Sequence, residues 1–379
     1  MRKRLVIIVL LMIPLLGCNN IKPDSDPINE FYVAAWYPTY DSARGLKSFT
    51  DHLDVLNEIN PVWYNLNPAY FTSQAAPLVQ NLLNHDTIFP VAKYAGIKVL
   101  PTIQNFGATN FDRAVIGQII QDAELRKKHV QEIVDLVKTE DYDGIDIDYE
   151  NLVFNDRPAF SAFIAELGQA LHQEEKQLSV TVYAKTSGAA TWTGPGAQDW
   201  AALASSVDSL KVMVYDYHWA AFRPGPISPL DWLEAILKYA DTIPEARGKI
   251  VIGLPFYGLD WAGVWQGGVW NGSTAKEKTY QDAMNLLSQF SGTDLNRNDA
   301  DHSSNQICGA YSKNAELHFQ YQNSGVQHTV YYQDSETLRR RLEIIGQYPQ
   351  LIKGVTFWRL GGEDPQSWDE LKKFRANMI

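Results

Sequence analysis

DYDGIDIDYE, residues 141–150, sets five acidic side chains in ten positions of a run that otherwise reads as a buried strand. Side chains alternate along a strand, so Asp146, Asp148 and Glu150 share one face and Ile145, Ile147 and Tyr149 the other. An apolar face turned to helices and a second face turned inward is the pattern of a barrel strand. Glu150 then stands at the C-terminal mouth, where such barrels place their sites. Three unpaired carboxylates in that interior would be strongly unfavourable. They must share protons, bind a cation or accept several hydrogen bonds. Three readings follow: a solvated edge strand with an acidic outer face, a cation site, or acid/base chemistry. The Asp/Asn spacing, glycine and distal glutamate of a calcium loop are absent. In the acid/base reading, like charges raise one another's pKa and hold Glu150 protonated near neutral pH.

Outward from this stretch, short runs rich in Val, Ile and Tyr recur at Phe31–Tyr37, Val62–Asn67, Ile97–Ile103, Leu178–Ala184, Ser209–Tyr217, Lys249–Gly258 and Lys353–Leu360. Amphipathic helices are expected between several of them, at Asp122–Thr139, Pro158–Glu174, Pro229–Tyr239 and Ser335–Tyr348. Alternating strands and helices predict an α/β fold with parallel pairing, and eight such units predict a (β/α)8 TIM barrel. The alternative, a doubly wound open sheet, lacks a glycine-rich dinucleotide fingerprint. About ninety residues separate the seventh and eighth strands, too many for one helix. Residues 261–330 hold GGVWNG, a helical stretch near Tyr280–Gln289 and the β-like pieces HFQY and HTVYYQD, and read as a small α+β insertion on the barrel rim.

The 379 residues carry a net charge of -11, which speaks against nucleic acid or an anionic membrane surface as main partner. The 11 Trp, 19 Tyr and 15 Phe fill a core or stack on the apolar faces of sugar rings. Residues 1–17 open with Arg2, Lys3 and Arg4 and continue as an apolar run, the layout of a signal peptide. Leu15, Leu16, Gly17 and Cys18 resemble the lipobox of bacterial lipoproteins, which implies cleavage before Cys18 and a lipid on its sulfur. An ordinary signal peptide and a retained anchor helix are the alternatives. Residues 18–30 then read as a polar tether, and residues 31–379 as the barrel. Cys308 is left without an intrachain partner, and no Cys/His cluster suggests zinc.

Asp143, Asp146, Asp148 and Glu150 match DxxDxDxE, and on these residues the chain resembles the family 18 glycoside hydrolases, chitinases and related N-acetylglucosaminidases. Met213, Tyr215 and Asp216 match the family's MxYD, and Trp358 its strand-ending tryptophan. The runs at 224–240, 252–261 and 357–368 are most similar to the spore-germination and cortex-lytic branch. The resemblance implies a hydrolase of β-1,4 bonds in N-acetylglucosamine-containing glycans, peptidoglycan or chitin-like, in which the substrate's own acetamide attacks the sugar. Glu150 would then be general acid and base, Asp148 would orient the acetamide, Asp146 would support Asp148, and Asp143 would be structural. Tyr215 would donate to the acetamide oxygen, Trp358 would floor the sugar, and Met213 and Asp216 would line its pocket. Tyr37 and Tyr183 are further candidates for the cleft, Trp219 and Trp261 for outer subsites. The family's Ser-x-Gly-Gly motif is missing; TIQNFG stands there, with Asn105 and Phe106 at the rim. No metal or cofactor is expected. A non-catalytic carbohydrate-binding protein is the rival function, and the intact Glu150, Asp148 and Tyr215 weigh against it. A metal-dependent barrel enzyme is a third. The protein is expected to be an exported monomer, lipid-anchored at the bacterial envelope.

Overall fold

The computed structural model describes residues 31–378 apart from 74–75, 83–86, 190–191 and 291–314; Cys18, the signal and tether segments and Cys308 lie outside the described residues. Strands β1 (Tyr32–Tyr37), β2 (Glu58–Pro61), β3 (Tyr64–Leu66), β4 (Val79–Asn81), β5 (Lys98–Val99), β6 (Thr102–Gln104), β7 (Gly144–Asp148), β8 (Gln177–Tyr183), β9 (Ser209–Met213) and β10 (Ile250–Pro255) precede a second sheet. That sheet comprises β11 (Gly258–Gln266), β12 (Val269–Gly272), β13 (Lys276–Lys278), β14 (Leu317–Asn323) and β15 (Val326–Tyr332), and β16 (Ile352–Trp358) follows it.

The main sheet runs β4-β3-β6-β7-β8-β9-β10-β16-β1-β2-β5, parallel except for β3 with β4. Two residues separate β2 from β3, and two separate β5 from β6. The same two stretches of chain therefore pair near both ends of the path, β2 with β5 and β3 with β6. The sheet curls back towards itself with helices outside, a TIM-barrel-like α/β arrangement.

Helices α1 (Ser42–Asp51), α2 (Ile88–Ala95), α3 (Arg113–Gln121), α4 (Ala123–Thr139), α5 (Arg157–Gln173), α6 (Thr193–Gly196), α7 (Trp200–Ala204), α8 (Leu230–Ala240), α9 (Tyr280–Gln289), α10 (Ser335–Ile345) and α11 (Ser367–Asn377) connect the strands. Their starts are written in the sequence. Asp122 accepts from the backbone N–H of Glu124 and Leu125, both at 2.9 Å, and so begins α4. Thr279 and Asp282 cap α9 reciprocally.

Ile145, Ile147 and Tyr149 join one core with Ile133 and Val137 of α4 and Phe160, Phe163 and Ile164 of α5. Burying each such side chain contributes about 1.5–3 kcal/mol, which fixes the register of β7 and hence which face its carboxyls take. The inner face is polar where most barrels stack aliphatics: Glu58, Asn60, Thr102, Asp146, Ser179 and Lys211 are all buried.

Several boundaries differ from the expectation. The second strand starts at Glu58, because inward-facing Glu58 and Asn60 pair with buried polar groups and break the apolar pattern. The sixth ends at Met213, so Tyr215 and Asp216 lie beyond it, Asp216 at φ 60°. The second sheet begins at Gly258 rather than at residue 261. Trp261 is fully buried in that sheet's own core with Ile227, Tyr257 and Tyr331, and serves no outer subsite.

Candidate active site

The acid row rises from an occupied base to an open top. Asp146, fully buried, accepts at Oδ2 from Trp36 Nε1 (3.0 Å) and the Thr102 hydroxyl (2.9 Å). At Oδ1 it accepts from the Ser179 hydroxyl and from Lys211 Nζ (3.1 Å). Asp148 is buried one layer higher, and its Oδ1 has no hydrogen-bond partner among the described residues. Burial raises its pKa well above the ordinary value, helped by the charges of Glu150 and Asp146 and opposed by Lys211.

Glu150 stands two residues past the end of β7, not on it. The Asn105 side chain holds it there: Asn105 Oδ1 accepts the Glu150 N–H and Nδ2 donates to the Glu150 carbonyl, both at 2.9 Å. Burial pushes the Glu150 carboxyl up to about 7; the Tyr183 hydroxyl, bonded to it, opposes this, and Asp216 adds to it. A carboxyl poised there is protonated or ionised at little cost, as an acid/base group requires.

Asp143 lies at the opposite end of the row, where its Oδ2 accepts from the Val99 N–H at 2.9 Å and ties β7 to β5. Asp141 is an exposed loop residue.

Tyr215 joins the row to a cleft. Its phenol is raised well above its usual value by burial and by the charges of Asp148 and Glu150. Its ring lines a cleft of about 310 Å³ with Asp216, Trp219, Ala220, Tyr257, Leu259, Ala275, Glu277 and Trp358. That volume lies at the small end of ordinary ligand sites, ~300–1,000 Å³. The Tyr257 hydroxyl donates to Asp216 Oδ1. The Asp216 carboxyl is raised by desolvation and by Glu277, against that hydrogen bond. Trp358 meets Trp36 edge-on, ring centroids 6.1 Å apart, and the peptide bond after it is cis.

The structure therefore brings together Asp146, Asp148, Glu150, Tyr183, Tyr215, Asp216 and Trp358. Met213 faces inward on β9 beneath Tyr215 and is nearly buried, outside the cleft lining. Tyr37 is displaced from the site: it packs in the helix-facing core, its hydroxyl donating to the Ser42 carbonyl at 3.0 Å. Alternation explains this, because Trp36 takes the inward position.

Trp36, Lys211, Asn105, Tyr257 and Glu277 were not among the expected site residues. Parity would have found Trp36, and a lysine inside the apolar run SLKVM was a signal for a buried counter-charge. Asn105 was placed at the rim, directly after β6, but nothing in the sequence pointed to its bonds with the Glu150 backbone.

A TIM-barrel-like fold whose inward carboxyls end at an acid raised to about 7, beside an aromatic-walled cleft, fits the class of glycoside hydrolases. Residues 32–363 match the model of glycosyl hydrolases family 18, and the chain belongs to that family. It is 26% identical over 325 residues to the putative sporulation-specific glycosylase YdhD of Bacillus subtilis, covering 85% of this chain and 71% of that one. It is 27% identical over 285 residues to a cortical fragment-lytic enzyme of Bacillus cereus, covering 73% of this chain and 61% of that one. Among solved structures, a chitinase from Chromobacterium violaceum superposes with a TM-score of 0.76 at 23% identity, over 91% of this chain and 99% of that one. The spore cortex-lytic enzyme SleL of Bacillus megaterium gives 0.76 at 20% identity, over 90% and 73%. At these identities the two structures support the fold.

Proposed function

We propose that this glycoside hydrolase cleaves β-1,4 bonds in N-acetylglucosamine-containing glycans, peptidoglycan or chitin-like, by a substrate-assisted retaining route. The observation that carries the reading is the graded row: Asp146 saturated with donors, Asp148 left with a free buried oxygen, Glu150 raised to about 7. Glu150 protonates the leaving oxygen as the substrate's acetamide oxygen attacks C1, forming an oxazolinium ion. Asp148 accepts the acetamide N–H and offsets the positive charge that develops there. Tyr215 donates to the acetamide oxygen, and Trp358 supports the sugar's apolar face. Glu150 then takes a proton from the water that opens the ring, so configuration is retained. The names of the relatives, cortex-lytic and chitinolytic, favour this class of glycan. In the same reading β2–β3 and β5–β6 are two interrupted strands of a closed eight-strand barrel, and the second sheet is an insertion on its rim. A lectin-like role would not require the graded row.

Glu150→Gln, compared with wild type on purified peptidoglycan and on chitin oligosaccharides, tests the proposal. Reducing-end N-acetylglucosamine should appear with wild type alone. Equal release by the variant would overturn the role of Glu150. We also propose that the chain is a monomer exported to the bacterial envelope and held there by lipid on Cys18. Mass spectrometry of the mature N-terminal peptide should find Cys18 acylated; a start elsewhere without lipid refutes the anchor.

A further inference from the structure

We propose that Lys211 is a positioning residue for the acid row: wedged between Asp146 and Glu58, it supplies the counter-charge at the base of the row and so sets the pH range in which Asp148 and Glu150 work. The proposal rests on Glu150 acting as the general acid and base.

Lys211 Nζ lies 2.8 Å from Glu58 Oε1 and 3.1 Å from Asp146 Oδ1, with all three side chains 1% exposed or less. The ammonium also faces the Trp36 ring, 5.5 Å from its centroid. A lysine buried so deeply is retained only with its charge matched. Here two carboxylates match it, one from β2 and one from β7.

The donors around Asp146 decide where a proton can sit. Each of its oxygens meets one group that can only donate: Trp36 Nε1–H at Oδ2 and the Lys211 ammonium at Oδ1. Protonating either oxygen weakens its contact with the donor-only group and requires the Thr102 or Ser179 hydroxyl to turn and accept, so this donor set favours the carboxylate. Asp148 Oδ1 is buried with no such donor among the described residues, so a proton there displaces nothing. Lys211 thus acts from the base of the row, without touching the cleft.

The other charges around this layer are few. Glu58 also accepts from Tyr32 (2.9 Å) and Asn60 (2.8 Å). Lys353, on β16, is itself lowered, burial being the largest cause and Lys211 one of those adding to it. Asp148 and the Tyr215 phenol face the layer from above, the phenol raised in part by Asp146.

The test is the pH profile of kcat/KM for Lys211→Met/Glu58→Gln, Lys211→Arg and Glu58→Gln on a chitin oligosaccharide. Without the cation, Asp148 loses the ammonium that lowers its carboxyl. The acidic limb of the double variant should move up by about one pH unit, and the alkaline limb, set by Glu150, should move less. Lys211→Arg keeps the charge and should keep the wild-type limb. Glu58→Gln leaves more of the lysine's charge to the row, so its acidic limb should move down. Opposite shifts cannot come from loosened packing alone. Profiles that superimpose on wild type, with only thermal stability reduced, would overturn the proposal. Should the double variant fail to fold, an unmoved acidic limb in Glu58→Gln overturns it equally. Full activity in Glu150→Gln would instead defeat the underlying acid/base reading, whatever the Lys211 profiles show.

Discussion

Asn105 shows how little of a catalytic position belongs to the catalytic residue. Glu150 follows β7 without a ladder of its own, and both of its backbone polar groups are met by one side-chain amide at 2.9 Å. That amide also donates to the Asp112 carbonyl at 3.0 Å, so the loop before α3 is part of the mount. Asn105→Ala removes the mount and leaves the carboxyl free to drift. Misplacement of about 1 Å can cost on the order of a hundredfold in rate. We expect kcat to fall about 10–100-fold with KM changed less than about threefold, read by steady-state kinetics. A variant with wild-type kcat would show that β7 alone positions Glu150.

At the scale of the element, the glycine of DYDGIDIDYE has its own task. A Cβ on Gly144 would lie 2.1 Å from the Gln177 carbonyl oxygen, where β7 and β8 enter the sheet together. Gly144→Ala must push two backbones apart, and we expect it to destabilise the protein by about 1–3 kcal/mol or more. Thermal melts measure this; an unchanged midpoint would mean that the strands can separate there without loss. The apolar half of β7 was fully legible, since Ile145, Ile147 and Tyr149 follow the two-residue period into the helix-facing core. Helices α4, α5, α8, α9 and α10 were legible too, from their spacing, whereas α1, α2, α3, α6, α7 and α11 were not expected. The run Val62–Asn67 did hold β3, but β2 before it was not legible, because Glu58 accepts from Asn60 and pairs with Lys211 inside the sheet, and a local pattern cannot reveal a partner some 150 residues away. Tyr37 was misjudged for a simpler reason: strand position alone said rim, while parity with Trp36 said core.

At the scale of the whole molecule, the site sets how stability follows pH. The Glu150 carboxyl titrates at about 7 when folded against an ordinary 4.5, so the folded chain binds that proton more tightly and loses stability as pH rises from 4.5 to 7. His129 and His218 act in the other direction. Burial lowers them from 6.5 to about 3 and about 4, so their contribution is complete above 6.5 and is lost as pH falls through that window. Glu150→Gln removes the first effect, together with the part of the Asp148 shift that the Glu150 charge causes, and leaves the histidines as they are. Urea unfolding should find the variant matching wild type near pH 4 and exceeding it near pH 8 by up to about 3 kcal/mol. A gap that does not widen with pH would show that the carboxyl is not desolvated in the folded state.

The second sheet is riveted to the main one through two buried arginines. Arg341 of α10 meets Glu316 at 2.7 Å, Gln333 at 2.6 Å and the Ser228 carbonyl at 2.9 Å. Arg359, just after Trp358, meets Glu277 at 2.9 Å and Asp41 at 2.9 Å. Removing one partner of the buried Arg341–Glu316 pair costs about 3–5 kcal/mol, and removing a partly exposed partner of Arg359 costs less. The cleft wall is therefore not a transferable module. Grafting it onto another scaffold, or replacing it with a relative's, must move the matching halves together: Glu316 with Arg341 and Ser228, Glu277 with Arg359 and Asp41. A substitution at one half therefore limits what the other half can be.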